Sequence, residues 1–362
     1  MQSKKVYFIA VDESDDIACV KRKTALLLDE SKVLDCIDKD DKVAVKIHFG
    51  EEGNAGHVRP ECAAAICEKI KSKGARPFLT DTNALYKGQR TVSSDHIKLA
   101  LRHGFTKGAC GADIIIPDDS KKKNVLEVPV NGSFIKKAKI AALFLNADAI
   151  VDVAHFKGHL MTGFGGALKN IGMGCAAREG KLAQHSEITP VIHVKDCTEC
   201  MACVKACPAD AIYIKVHKAY IDPSKCIGCA TCIAACANKA IDVDWEAGGS
   251  QLQEKMIEYA SAVLKAKNRK SAFINFAVKI TKECDCLAKD DPRICPDIGI
   301  FASQDPVAVD TACYDAVVNT CGKDIFKMLH PKRDGRIQLR YAQKIGLGDQ
   351  DYKLITVMSK VS

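Results

Sequence analysis

One cysteine pattern occurs twice in this 362-residue chain and constrains its fold more than any other feature. The segments CTECMACVKACPADAIYI, which begins at Cys197, and CIGCATCIAACANKAIDV, which begins at Cys226, match at every cysteine. Both have the spacing C-x2-C-x2-C-x3-C, and both continue into Ala-Ile and a further β-branched residue. An internal repeat of this kind indicates equivalent structural units, so we expect two equivalent binding sites.

This spacing is typical of bacterial proteins that bind two [4Fe-4S] clusters, in which the fourth cysteine of each segment ligates the other cluster. A loop with a cysteine at every third residue can reach three corners of one cluster, while the fourth iron faces the opposite segment. We therefore expect two [4Fe-4S] clusters, held by crossed sets of cysteines. The first set is Cys197, Cys200, Cys203 and Cys236, and the second is Cys207, Cys226, Cys229 and Cys232.

A pair of zinc sites is the alternative for these cysteines. Zinc usually takes its four ligands as two separated C-x2-C pairs, whereas here each group of four cysteines falls within 11 residues. The spacing therefore favours clusters over zinc. Apolar residues such as Ile212 and Ile241 are expected to shield the clusters from water, and we expect a low reduction potential.

The 19 cysteines also indicate a compartment. The apolar stretch 6–11 is too short for a secretory signal, so we expect a cytoplasmic protein whose thiols bind metal rather than form disulfides. No apolar run approaches the ~18 residues of a membrane span, so no membrane partner is expected. The formal net charge of +8 falls to about +4 when eight thiolates and two oxidised cluster cores are counted, which is too weak to predict nucleic-acid binding.

Outside the cysteine repeat, strand and helix patterns alternate and predict an α/β fold, a mostly parallel sheet with flanking helices. The alternation stops after residue 187 and resumes near residue 250. The repeat is therefore expected to be an α+β two-[4Fe-4S] ferredoxin module, residues 188–246, inserted into one α/β domain formed by residues 1–187 and 247–362. Strands are predicted at 5–11, 42–49, 75–80, 149–154, 272–280, 298–303 and 352–358, and helices at 20–38, 60–73, 94–103, 135–146, 252–266, 306–320 and 328–346.

A glycine-rich stretch follows the strand predicted at 149–154, with six glycines in residues 158–174. It lacks the GK(S/T) ending of a phosphate loop, and its GFGGAL is not the GxGxxG of dinucleotide-binding proteins. Glycine still lets backbone approach a ligand closely, and open α/β sheets bind ligands at the carboxyl ends of their strands. The alternative is structural, with glycines that accommodate the inserted module against the sheet.

The side chains around this stretch form the predicted active site. We expect Lys157 and Lys169 to hold a small anionic substrate, and His155 or His159 to donate a proton or ligate a metal. Core or interface histidines that only make structural hydrogen bonds are the alternative. The residues predicted to bind a cofactor are Gly163, Gly165, Gly166 and Asn170.

Four stretches and the double cysteine motif carry a resemblance to one family. They are KVAVKIHFGEEGN (42–54), HFKGHLMTGFGGALKNIGMGC (155–175), INFAVKITKECDC (274–286) and PDIGIFASQDPVAVD (296–310). By these the chain resembles the prokaryotic family of uncharacterised Fe-S centre proteins, built on domain of unknown function 362 with a ferredoxin insert. The resemblance spans most of the chain and implies an architecture rather than a reaction.

The motif Cys284-Asp285-Cys286 is a second unusual site. In an extended segment, residues i and i+2 point to the same side, about 6.6 Å apart, so two thiolates can chelate a third metal or cluster. Because the motif belongs to the family resemblance, it favours metal; a reduced or redox-labile thiol pair is the alternative. Candidate completing ligands are Cys295, Cys175, His155, His159 and His185.

Three functions are consistent with these patterns. The first is an electron-transfer protein whose clusters supply low-potential electrons to a site in the α/β domain or to a redox partner such as a ferredoxin or a reductase. The second is an oxidoreductase, a ferredoxin-linked reductase with a pocket near the glycine-rich stretch and the CDC motif. The third is an interaction protein in which the clusters only stabilise the fold. An electron carrier needs only the inserted ferredoxin module, whereas the ~300 residues outside that module suggest a pocket for a substrate or a cofactor.

Overall fold

The structure is a computed structural model that describes residues 3–118, 122–185, 189–243 and 251–358. Its β-strands are numbered here in chain order. They are β1 Lys4–Ala10, β2 Lys42–Ile47, β3 Arg76–Thr80, β4 Asp113–Ile114, β5 Val125–Pro129, β6 Lys137–Ala141, β7 Ala149–His155, β8 Lys157–His159, β9 Gly163–Gly165, β10 Val191–Ile192, β11 Ile212–Ile214, β12 Ala219–Ile221, β13 Ile241–Asp242, β14 Ser271–Ala277, β15 Gly299–Ser303 and β16 Tyr352–Thr356.

The helices of the described residues are numbered in the same way. They are α1 Ile17–Ser31, α2 Pro60–Ser72, α3 Ser93–Arg102, α4 Lys107–Cys110, α5 Ala142–Asn146, α6 Ala167–Gly172, α7 Arg178–His185, α8 Ala202–Ala206, α9 Thr231–Ala235, α10 Leu252–Lys265, α11 Pro306–Cys321, α12 Ile325–Leu329 and α13 Arg336–Lys344. Short 3-10 helices cover Val33–Cys36, Lys122–Asn124 and Val194–Asp196.

One eight-stranded sheet forms the centre of the molecule, in the order β16-β1-β15-β14-β7-β2-β3-β4. Strand β15 runs antiparallel to both of its neighbours, and every other neighbouring pair in this sheet is parallel. Helices cover both faces, with α1 and α2 on one side and α6, α10 and α11 on the other. The predicted α/β class, with a mostly parallel sheet and flanking helices, is confirmed.

Burial on both faces explains why the central strands are almost continuously apolar. In β2, Val43 and Val45 pack into the hydrophobic cluster under α1 and α2, whereas Ala44 between them packs into the cluster on the opposite face. All seven residues of β7 and of β14 are buried. A strand with helices on both sides has no solvent face, so its sequence shows no polar alternation.

The helix predicted at 135–146 is wrong over its first half. Residues Lys137–Ala141 form β6, which pairs with β5 in an antiparallel hairpin, and only Ala142–Asn146 is helical. Ala138 and Ile140 are buried while Lys137 is exposed and Lys139 is half-buried. The two apolar positions lie two residues apart, which is the period of a strand. The prediction matched them to a helical pattern instead.

The cysteine-rich segment within residues 189–243 keeps the symmetry of its sequence repeat. Helices α8 and α9 start at equivalent positions of the two halves, each after a residue in the left-handed region, Met201 at φ 61° and Ala230 at φ 55°. Strand β10 pairs with β13 and β11 pairs with β12, so each pair joins one half to the other. The two halves therefore interlock. The predicted boundaries at 187/188 and 246/247 lie outside the described residues, and the division into domains stays a prediction.

The segment contacts the α/β body at two places. Leu85, after β3, and Leu182, on α7, pack into one hydrophobic cluster with Ile212, Ile233 and other apolar residues of the segment. The ammonium of Lys87 donates to the carbonyl of Ala234 at 2.9 Å. None of the helices that the structure describes has the length and apolar character needed to cross a lipid bilayer.

Candidate cysteine and metal site

The candidate site lies where four parallel strands end. Strands β2, β3, β7 and β14 run in the same direction, so their carboxyl ends meet at one edge of the sheet. That edge is where open α/β sheets place their ligands. The segments that follow these strands carry Asp81, the hairpin β8–β9 and the CDC motif.

Hairpin β8–β9 brings Lys157 and His159 beside the CDC motif. The N–H of Gly158 donates to the carbonyl of Thr281 at 2.9 Å. A Cβ atom added at Gly158 would lie 2.2 Å from the carbonyl oxygen of Lys282. A side chain at position 158 would therefore push the CDC segment away from the hairpin.

The CDC motif forms a turn rather than the extended segment that was predicted. The N–H of Leu287 donates to the carbonyl of Cys284 at 3.1 Å and closes the turn, and the N–H of Cys286 points at the Cys284 sulfur at 3.4 Å. The turn still brings both sulfurs together. The ligand atoms of His159, Cys284 and Cys286 all lie within 4.8 Å of one another, so these three residues form a group that can hold a metal ion.

The other candidate ligands have different surroundings. Both ring nitrogens of His155 face oxygen atoms, Nδ1 facing Asp285 Oδ1 at 2.9 Å and Nε2 facing the Val278 carbonyl at 3.0 Å. The Cys295 sulfur lies 3.1 Å from that of Cys321. Cys175 and His185 are not in the metal-capable group, and among the described residues only His159 joins the two cysteines.

Positive charge surrounds the two thiols. The Lys169 ammonium lies 3.7 Å from the Cys284 sulfur, and Lys157 lies 3.5 Å from an oxygen of Asp285. The hydrogen bond from Cys286 lowers the pKa of Cys284; Lys169, Lys157 and His159 add to that effect, and burial opposes it. The same hydrogen bond raises the pKa of Cys286. The surroundings therefore shift the two pKa values in opposite directions, and Cys284 is the thiol that loses its proton more readily.

The hydrogen bonds of His159 indicate which of its ring nitrogens carries the proton. Burial, followed by the nearby Lys169, lowers the pKa of His159 to about 4, so the ring is neutral at pH 7. Its Nδ1 accepts from the N–H groups of Met161 at 3.1 Å and Thr162 at 3.2 Å. A nitrogen that accepts hydrogen bonds carries no proton, so the proton is on Nε2.

A buried polar network behind the thiols was missed from the sequence. The Lys46 ammonium lies 3.0 Å from Asp81 and 2.7 Å from Asn170, whose amide donates to Asp152 at 2.8 Å. Lys46 and Asp152 are both fully buried inside strands. The sequence feature that could have predicted this network is a lysine or an aspartate within an apolar strand, because charged residues are almost never fully buried unless they are paired.

A second set of missed residues connects the thiols to the segment after β3. The Tyr86 hydroxyl donates to the carbonyl of Cys286 at 2.6 Å and accepts from Arg90. Arg90 also donates to Glu51 at 3.2 Å, and both of these side chains are buried. No short motif marks Tyr86 or Arg90, and only the fold places them near the cysteines.

The glycines predicted to bind a cofactor have packing roles in this structure. A Cβ at Gly166 would lie 2.3 Å from Asp310 Oδ1, and Asp310 accepts from the N–H groups of Ala167 and Leu168 at the start of α6. Gly163 has a φ of +77° and lies against the backbone of Gly335, and Gly165 lies near Lys169. Asn170 binds Lys46 and Asp152. A cofactor role for these four residues stays a prediction.

Two cavities lie in the cysteine-rich segment, each lined by four cysteines. The first is lined by one set together with apolar residues such as Ile214. The second is lined by the other set and by Ile212 and Ile221. The sets are Cys197, Cys200, Cys203 and Cys236 for the first cavity, and Cys207, Cys226, Cys229 and Cys232 for the second.

Comparison with known proteins identifies a family but no activity. No curated protein matches the sequence. The lactate racemase apoprotein from Thermoanaerobacterium thermosaccharolyticum is similar over 75% of this chain and 50% of its own, with 14% identity and a TM-score of 0.41. A protein from Thermotoga maritima is similar over 85% of this chain and 58% of its own, with 10% identity and a TM-score of 0.43. The chain thus spans between half and three-fifths of these two solved chains. Residues 43–315, more than half of the chain, match one family, and the protein belongs to that family, described as domain of unknown function (DUF362).

Proposed function

We propose that this protein binds two [4Fe-4S] clusters and transfers low-potential electrons, either to a site in its α/β domain or to a redox partner. One observation carries the proposal. Each cavity of the cysteine-rich segment is lined by one of the two crossed cysteine sets, including the fourth cysteine from the opposite half. Crossed sets of this kind are the ligation pattern of two-cluster ferredoxins.

The surroundings of the sulfurs fit such clusters. Backbone N–H groups point at cysteine sulfurs in equivalent places of the two halves, from Ala211 to Cys207 at 3.3 Å and from Ala240 to Cys236 at 3.2 Å. Hydrogen bonds to sulfur and burial are the means by which a protein tunes a cluster. When bound, the clusters would supply one-electron redox chemistry at low potential.

The positions of the two cavities favour one direction of electron flow through the protein. The first cavity includes Cys200, which is exposed to solvent, so a redox partner such as a ferredoxin or a reductase can approach it. The second cavity lies toward the α/β body, because Leu182 on α7 lies beside Gly228, which precedes its ligand Cys229. We infer that the chain accepts electrons at its first cavity and delivers them at its second.

A ferredoxin-linked reductase is the second candidate, and one observation favours it. Lys157, Lys169 and His159 converge on the thiols of Cys284 and Cys286 at the carboxyl edge of the sheet. Two lysines suit a small anionic substrate, and a neutral histidine with a proton on Nε2 suits proton donation. In this version the thiol pair, or a third metal held by it, lies at the substrate site of a cytoplasmic enzyme.

Electron paramagnetic resonance of protein purified without oxygen tests the proposal. After reduction with dithionite, we expect the signals of two reduced [4Fe-4S] clusters. Oxidised samples should lose them, and reduction of the clusters by a reduced ferredoxin should give the same signals. A protein that contains the clusters but cannot be reduced or reoxidised would instead support clusters that only stabilise the fold. A protein that contains neither iron nor acid-labile sulfide would contradict both versions.

A further inference from the structure

The geometry points to a dithiol–disulfide couple formed by Cys284 and Cys286, which takes up two electrons at the carboxyl edge of the sheet. The existence of the couple is independent of the clusters, but its role as their electron acceptor rests on the proposed function. The reaction is R–S–S–R plus two electrons and two protons giving two thiols, with Cys284 and Cys286 as the two sulfurs. A low-potential one-electron donor, used twice, is the reductant, and an external disulfide is the oxidant.

The turn places the two sulfurs where a disulfide can form. They lie within 4.8 Å of each other, and the carboxylate of Asp285 between them is hydrogen-bonded to His155. A disulfide needs sulfurs about 2.05 Å apart. The N–H of Cys286 already points at the Cys284 sulfur at 3.4 Å, and rotation about the Cα–Cβ bonds of the two cysteines would shorten the distance between their sulfurs.

Two features of the site favour the couple over a metal ion. Lys169 lies 3.7 Å from the Cys284 sulfur, and an ammonium at that distance repels a bound cation but stabilises a thiolate. A histidine that ligates metal through one nitrogen usually donates a hydrogen bond from the other. Here Nδ1 of His159 accepts two backbone hydrogen bonds, so Nε2 bears a proton and is a donor to sulfur, not a metal ligand.

The site also has a direct connection to the cysteine-rich segment. Lys87 donates to the carbonyl of Ala234, which lies in the sequence between Cys232 of the second cavity and Cys236 of the first. Its neighbour Tyr86 donates to the carbonyl of Cys286 at 2.6 Å. Two adjacent residues therefore bridge the cysteine-rich segment and the turn that holds the thiols. This bridge is the reason to place the two-electron acceptor at the CDC turn.

The sequence offers a clean measurement. Trypsin cleaves after Lys282 and Lys289 and releases the peptide Glu283–Lys289, which contains both cysteines of the couple and no other. The full chain, purified without oxygen, is equilibrated in glutathione buffers of increasing oxidised fraction and trapped with iodoacetamide. We expect this peptide to change from the doubly alkylated form to a disulfide, lighter by two hydrogens than the dithiol, in one two-electron transition.

Lys169 provides the matched variants. Lys169→Gln removes the charge that stabilises the reduced pair, and a hydrogen bond to a charged group contributes about 1.5 kcal/mol or more, so the equilibrium should shift roughly tenfold toward the disulfide. Lys169→Arg keeps the charge, so its equilibrium between dithiol and disulfide in the glutathione buffers should lie close to that of the wild-type protein. A shift of equal size in both variants would contradict the role of the charge.

Two outcomes would overturn the couple. One is a peptide that stays doubly alkylated in every buffer, and the other is a peptide protected from alkylation until a chelator removes a metal. Iron and sulfide are measured on the same samples. A protein with normal iron and sulfide but no disulfide would contradict the couple and leave the electron-transfer function unaffected. A protein that forms the disulfide normally but contains neither iron nor sulfide would support the couple and contradict the electron-transfer function.

Discussion

Asp285 accepts a hydrogen bond from Nδ1 of His155 at 2.9 Å, although it stands between the two cysteines of the CDC turn. Its other oxygen lies 3.5 Å from the Lys157 ammonium. All three side chains are buried, and His155 is the last residue of β7. The carboxylate therefore anchors the turn to the end of β7.

Asp285→Asn should destabilise the protein. The change removes the negative charge that faces Lys157 and His155, and breaking a buried charge pair costs about 3 to 5 kcal/mol. Urea unfolding at pH 7 under nitrogen measures the free energy of unfolding. The control is Asp290→Asn, which breaks a more exposed pair with Lys279 and should cost less than about 1 kcal/mol. Equal losses in the two variants would contradict the anchoring role.

The same variant predicts a pH dependence. Burial acts to raise the pKa of Asp285, but His155 and Lys157 outweigh it and hold that pKa well below its ordinary value. A carboxylate with a depressed pKa contributes stability that is present above the unfolded value near pH 4 and is lost as the pH falls below it. The difference in the free energy of unfolding between the wild-type protein and Asp285→Asn should therefore be constant from about pH 8 to pH 5 and shrink below pH 4. A difference that grows as the pH falls below 4 would contradict this account.

Gly158→Ala should displace the CDC turn. The added Cβ would meet the carbonyl oxygen of Lys282 at 2.2 Å, and overpacking of this kind costs about 1 to 3 kcal/mol. We expect that loss in urea unfolding, together with faster alkylation of Cys284 by iodoacetamide. The control is Gly108→Ala in α4, where the nearest atom to the added Cβ is 3.9 Å away. Unchanged alkylation in Gly158→Ala would show that the hairpin does not hold the turn.

Cys207→Ala should damage the cluster held by the second cysteine segment, although Cys207 belongs to the first segment. The structure places Cys207 in the cavity lined by Cys226, Cys229 and Cys232. In the variant, those three thiols should become alkylated without oxygen, while the first set stays protected and about four of about eight irons remain. The control is Cys67→Ala, a buried core thiol of α2. Alkylation of Cys197, Cys200 and Cys203 in the Cys207 variant would contradict the crossed ligation.

Cys295 and Cys321 should form a disulfide when the protein is oxidised. Their sulfurs lie 3.1 Å apart, and the bond would close a loop between positions 26 residues apart. The chain-entropy relation gives about 3.5 kcal/mol for such a loop. Mass spectrometry of the tryptic peptide that begins at Ile294 detects the bond, and thermal unfolding measures its effect. Cys321→Ser should show neither the bond nor the added stability.

The fold could be predicted because the sheet is built from strong local patterns. Buried strands such as β2 and β7, and the start of α11 with Asp305 capping Val307 and Ala308, follow from residue types over short windows. The hairpin β5–β6 could not, because the spacing of three between the buried Ile135 and Ala138 fits a helix, whereas the spacing of two between Ala138 and Ile140 fits a strand. Short hairpins depend on a partner strand that local sequence does not reveal.

The candidate site was predictable only in part. The cysteine spacing predicts which four cysteines form each ligand set, because a cluster needs cysteines at fixed intervals. The CDC motif and His159 were also candidates from the sequence, and the structure brings them together. Tyr86, Arg90 and Lys46 reach the site from segments that are distant in sequence, and only the parallel strand order places them at one edge. The turn at Cys284 and the proton position on His159 depend on backbone hydrogen bonds, which residue types alone do not determine.

The central claim is that the cysteine-rich segment binds two [4Fe-4S] clusters, and metal analysis of protein purified without oxygen tests it most directly. The account predicts about eight irons and about eight acid-labile sulfides per chain, because two complete sets of four thiolates are present. Any third iron centre at Cys284 and Cys286 would add to this number and disappear in the variant with alanine at both positions. Stoichiometric zinc without sulfide would contradict the account.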